Sequence, residues 1–88
     1  MMINITDLKK KIIYRSNYRG TKEMDKLLGT FVKKYINLLK DDELVQLCDL
    51  LGLDDEDLYK YNNGQKITIL IEKNNVSDLF RKYVYISD

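Results

Sequence analysis

The chain has no histidine, proline, tryptophan or alanine, and its one cysteine is Cys48. Without histidine there is no imidazole base to activate a serine or cysteine nucleophile, and with one thiol there is no zinc ligand set. A lone cysteine cannot close an internal disulfide, so the framework of a small secreted domain is excluded and a reducing compartment is expected. Cys48 also stands among Leu44, Leu47, Leu50 and Leu51, where it reads as a small core side chain rather than a reactive thiol. Long apolar runs are missing too. The stretch over residues 67–71 falls far short of the roughly 20 residues of a membrane-spanning helix. The N-terminus shows neither a secretory signal nor an Arg-rich transit pattern, so the chain is expected to stay where it is made and not to enter a membrane.

The four glycines are isolated, which removes the phosphate-cradling loop and the dinucleotide fingerprint. The acidic run over residues 54–57 lacks the alternate ligand positions, central glycine and closing glutamate of a calcium loop, and reads as helix-capping carboxylates. The expectation is a protein that is not an enzyme and holds no metal.

What is present is apolar and charged in balance: 44% hydrophobic and 33% charged residues over 88 positions. That composition suits one globular domain spanning residues 1–88, with its core in about 7–85. Charge is unevenly spread. Residues 1–40 carry ten basic and three acidic side chains, whereas residues 41–57 carry eight acidic and none basic. The near-zero total argues against nonspecific nucleic-acid binding, and the two-signed surface suits a protein partner.

Helical periodicity organises the chain. Asp7 is placed to cap a first helix with Leu8, Ile12, Arg15 and Arg19 at i, i+4 spacing, ending near Tyr18 or Arg19. Gly20 breaks it by adopting left-handed geometry. Met24, Leu27, Leu28, Phe31, Tyr35 and Leu38, continuing to Leu39, predict an amphipathic second helix of about five turns, with Gly29 marking a close approach by another helix. Asp41 or Asp42 caps a third helix through Leu51, and Asp54 a fourth ending near Tyr61, before the turn Asn62-Asn63-Gly64. Residues 66–73 (KITILIEK) read locally as a strand, but no partner strand exists. They are expected to be irregular or helical, packed by their isoleucines, before a last helix capped at Asn75 or Ser77 that includes Phe80, Tyr83 and Val84. The fold class is all-α, a compact bundle of about five short helices.

One segment stands apart, Tyr18-Arg19-Gly20-Thr21-Lys22-Glu23-Met24-Asp25, at the break between the first two helices. It resembles the R-G-x-x-E signature of the succinate dehydrogenase assembly factor 2 family, known in bacteria as the FAD assembly factor. The flanks match as well: Lys40-Asp41-Asp42-Glu43 opens an acidic helix, and Asp55-Glu56-Asp57-Leu58-Tyr59 supplies a D-x-D-L-aromatic segment. The resemblance covers roughly residues 7–85. Tyr18 departs from the second basic residue many relatives carry, and the tryptophan and proline they carry after the fourth helix are missing.

The resemblance implies a chaperone that binds the flavoprotein subunit of succinate dehydrogenase, and by extension fumarate reductase, and promotes covalent FAD attachment there. It implies no cofactor held by this chain, FAD belonging to the partner, and a bacterial cytoplasm as the setting, with a monomer when free. Arg19, Gly20 and Glu23, with Tyr18 and Arg15 beside them, would be the partner-binding residues. Two other readings stand against this. Locally, Gly20 is an N-cap, Glu23 reaches back to its N–H as half a capping box, and Arg19 offsets Glu23. Globally, the chain is a helical adaptor or a small nucleic-acid-binding regulator using Lys9, Lys10, Lys11, Tyr14, Arg15, Tyr18 and Arg19.

Overall fold

At three of the helix starts, a side chain at the cap position catches a free N–H group of the first turn. In the computed structural model, which describes residues 4–85, five helices follow in order: α1 Ile5–Asn17, α2 Lys22–Tyr35, α3 Asp41–Leu51, α4 Asp55–Asn62 and α5 Asn75–Lys82. The outermost residues of the expected domain, 1–3 and 86–88, lie outside the described range. Among the described residues there is no strand, and no helix is long and apolar enough to cross a membrane.

Several caps differ from expectation. Asn4, not Asp7, caps α1, its Oδ1 accepting the Asp7 N–H at 3.1 Å. Asp7 is instead a first-turn acid, where the helix dipole favours it. At α3 the cap position is Lys40, whose N–H is held by Glu43 Oε1 at 3.0 Å, so Asp41 and Asp42 lie inside the first turn. Asn74 caps α5 in exchange with Ser77: Ser77 N–H donates to Asn74 Oδ1 at 2.8 Å and Asn74 N–H to Ser77 Oγ at 2.9 Å. Asp54 precedes α4 as expected.

Helix α2 is also shorter than its pattern. Ile36 still bonds to Val32 O, but Leu38 and Leu39 both donate to Tyr35 O at 2.8 and 3.1 Å. The chain thereby tightens into a turn, leaving Leu38 72% exposed. Val84 lies beyond the end of α5 and is exposed. Among the described residues only Gly64 has a left-handed φ, 72°, in the expected turn after α4; Gly20 does not. A Cβ on Gly29 would lie 3.3 Å from Asn17 Oδ1, so the close approach there is made by the end of α1.

The apolar stripes meet in one core. Helix α1 packs on α2 and α3, and α5 packs on α3 and α4. Ile12, Leu28, Phe31, Leu47, Leu58 and Phe80 are fully enclosed, with the Phe31 and Phe80 rings edge to face at 5.2 Å. Cys48 is buried, as its neighbours imply. Residues 66–73 are irregular and, among the described residues, form no backbone-to-backbone hydrogen bond. Ile71 packs on the core, whereas Ile69 is partly exposed and Leu70 is 97% exposed.

Candidate partner-binding site

Four residues, Tyr18, Arg19, Gly20 and Thr21, make the corner between α1 and α2. Thr21 is the α2 cap, its Oγ1 accepting the Met24 N–H at 3.2 Å. The capping box expected from Gly20 and Glu23 is therefore not formed, because the cap has moved one residue on and Glu23 sits in the second helical position. The carboxylate that takes the Gly20 N–H belongs to Asp55, at 2.7 Å. Asp25 Oδ1 takes the preceding N–H, that of Arg19, at 2.6 Å.

Arg19 does not pair with Glu23 and is not exposed. Its side chain is 10% exposed, with Nε bonded to Asp55 Oδ1 at 2.6 Å. One terminal nitrogen donates to the carbonyls of Arg15 and Leu51, at 3.0 and 2.8 Å, and the other to Leu53 O at 2.9 Å. The planar fork thus reaches three backbone segments and a carboxylate at once, which a lysine could not do. It sits at the carbonyl end of α3, where the dipole favours a cation, and its counter-ion lies in the first turn of α4, where the dipole favours an anion. Arg15 has a related role: its guanidinium donates to Cys48 O at 3.1 Å, tying α1 to α3.

Glu23 is the opposite case. It is exposed, and the ion pairs among the described residues are Arg19–Asp55 and Lys60–Glu56, so its charge is free. With Thr21, Met24, Asp55, Glu56 and Tyr59 it lines a groove of about 410 Å³ between the start of α2 and α4. Tyr59 is half exposed there. A second hollow of about 280 Å³ continues past Met24 and Tyr59 to Leu27, Asn62, Arg81 and Tyr83. Tyr18 points outward at 74% exposure, its ring 4.8 Å from that of Tyr14.

The structure therefore divides the expected patch. Gly20, Glu23 and Tyr18 are on the surface, while Arg19 and Arg15 are bound inward. Two residues of the groove, Asp55 and Tyr59, were not singled out from sequence as site residues, although both stand in the D-x-D-L-aromatic segment that carries part of the resemblance. Among the described residues no three His, Cys, Asp or Glu side chains gather as metal ligands.

The sequence that builds this corner lies within a stretch matched by known proteins. The family model described as flavinator of succinate dehydrogenase matches residues 10–84. The chain belongs to this family. A flavinator-family relative in Drosophila grimshawi, "Succinate dehydrogenase assembly factor 2, mitochondrial", is 31% identical over 78 residues, which is 86% of this chain and 53% of the relative. Relatives of the same name in Komagataella phaffii and Arabidopsis thaliana are each 32% identical, over 84% and 64% of this chain and 40% and 30% of their own lengths. The chain spans about half, or less, of the length of the curated relatives it matches. No solved structure matches it.

Proposed function

We propose that this chain binds the flavoprotein subunit of succinate dehydrogenase, and by extension fumarate reductase, and promotes covalent attachment of FAD to it, contributing no catalytic group of its own. The observation that carries this reading is the family match over residues 10–84 together with the free Glu23 carboxylate beside Gly20 in an open groove. Gly20 lets a partner's backbone come close. Tyr59, half exposed, offers apolar contact, and Glu23 a charge to pair. The bond-forming chemistry resides in the flavin and the subunit. The chain's part is to hold the subunit so that the acceptor side chain and the flavin meet in a reactive arrangement, an effect of orientation rather than proton transfer.

The family match supports this reading over a nucleic-acid-binding regulator or a general adaptor. The chain is assigned no cofactor of its own and no nucleic-acid partner, and it is a monomer when free. A bacterial cytoplasm is the setting we assign, where the named relatives are mitochondrial.

The test is covalent flavin fluorescence on the denatured subunit after incubation with FAD and the purified chain. Glu23→Ala should lower flavinylation about tenfold or more while melting within a few degrees of the wild type. Full flavinylation by that variant, or none by the wild type, would defeat the proposal.

A further inference from the structure

We infer that Asp55, through its shared grip on Arg19 and Gly20, is a positioning residue for partner docking. This inference rests on the proposed function. The two carboxylate oxygens divide their work: Oδ1 holds Arg19 Nε at 2.6 Å, and Oδ2 holds Gly20 N–H at 2.7 Å. One side chain on α4 thus fixes both the side chain of one signature residue and the backbone of the next. Asp55 also lines the groove together with Thr21 and Tyr59, so its grip on the α1–α2 corner bears on how far the α2 start stands from α4.

Arg19 then works from inside. Four hydrogen bonds already occupy its guanidinium, which is 10% exposed, so it has little left with which to reach a partner. The signature consequently has two halves: an inward half, Arg19 with Asp55, that sets the geometry, and an outward half, Gly20 with Glu23, that meets the partner. The tight fit at Gly20 follows from the same grip. A Cβ built there lies 3.1 Å from Asp55 Oδ2, closer than side chains ordinarily sit, so any larger residue would crowd the carboxylate above it, a steric constraint rather than one of backbone dihedrals.

The experiment is a double-mutant cycle on binding of the 88-residue chain to the purified flavoprotein subunit of succinate dehydrogenase. It uses Arg19→Lys and Asp55→Asn, which keep side-chain bulk, with a melt of every variant. Val76→Ala, a buried change in α5, serves as a control of comparable melting loss. Each single variant should weaken binding about tenfold, or 1.4 kcal/mol. The double variant should bind no worse than the weaker single variant, because both act through one linkage, and Val76→Ala should bind like the wild type. Multiplying losses in the double variant would mean that Arg19 touches the partner directly, which overturns the inference. So would equal weakening by Val76→Ala, which would reduce Asp55 to a general stabiliser. Should a variant not fold at the binding temperature, Gly20→Ala replaces it: the inference requires its binding defect to shrink when Asp55→Ala, which removes the crowding carboxylate, is added, and an unchanged defect overturns it. If the wild type fails to bind the subunit, the proposed function falls with it, whereas intact wild-type binding with multiplying losses defeats the positioning role alone.

Discussion

The phenol of Tyr83 donates to Thr30 Oγ1 at 2.7 Å, joining the residue that closes α5 to the middle of α2 across 53 positions of sequence. The Tyr83 ring also meets Phe31 edge to face at 5.2 Å. Tyr83→Phe keeps the ring and removes only the hydroxyl, so it should cost about 0.5–1.5 kcal/mol, the net worth of one part-buried hydrogen bond. Urea midpoints of the variant and the wild type decide this, and coincident midpoints would show that the bond contributes nothing.

Acid should loosen the contact between α3 and α5. The Glu43 carboxyl lies below its ordinary pKa, held there first by the Lys40 N–H and then by the Asn75 amide, with burial opposing them and the Lys40 charge adding the least. A carboxyl depressed in the folded state contributes stability that is present above its unfolded pKa and lost as pH falls through the lowered folded value. Melting temperature followed from neutral pH down through the carboxylate range should fall less steeply in Glu43→Gln than in the wild type. Identical pH profiles would remove Glu43 from the account.

Stability should separate the two charges of the signature. Arg19→Ala leaves Asp55 Oδ1 and three backbone carbonyls without their donor, and since Asp55 is 29% exposed the loss should be about 1–3 kcal/mol, the cost of leaving part-buried acceptors unsatisfied. Glu23→Ala removes a free surface charge and should stay within about 0.5 kcal/mol of the wild type. Denaturant unfolding of the two proteins side by side measures the difference, and equal stabilities would contradict the inward placement of Arg19.

Two leucines make the matching test for apolar burial. Leu58 is fully buried and Leu70 is 97% exposed. Leu58→Ala should cost about 2–5 kcal/mol, whereas Leu70→Ser should leave the melting temperature nearly unchanged. A large loss at Leu70 would mean that residues 66–73 are packed down in solution.

The helices were legible because their apolar residues recur at helical spacing, and Met24, Leu27, Leu28 and Phe31 are buried as that spacing requires. Caps were less legible, since Asn4, Lys40 and Asn74 each compete with a neighbouring residue able to serve, and only tertiary geometry selects among them. The end of α2 was over-read because Leu38 and Leu39 continue the apolar stripe past the point where the chain turns toward α3. At the site, the resemblance makes Arg19 a partner-binding residue, and the local alternative pairs it with Glu23, four residues away. The actual counter-charge, Asp55, lies 36 positions distant, and local spacing carries no information about a pair that forms only when α4 folds back beside the α1–α2 corner. Gly20 was read through its dihedral freedom, whereas the constraint on it is steric and comes from that same distant carboxylate.

Residues 66–73 have a further consequence for how the molecule tolerates change. Since they contribute no backbone ladder and α5 carries its own reciprocal cap at Asn74 and Ser77, the last helix is registered by its side chains rather than by the length of the chain leading to it. Lengthening that connection costs only closure entropy, about 0.6 kcal/mol for each doubling. An epitope, a fluorophore site or a protease recognition sequence can therefore be spliced in beside Leu70, giving a handle on the protein that leaves the Gly20 and Glu23 surface untouched.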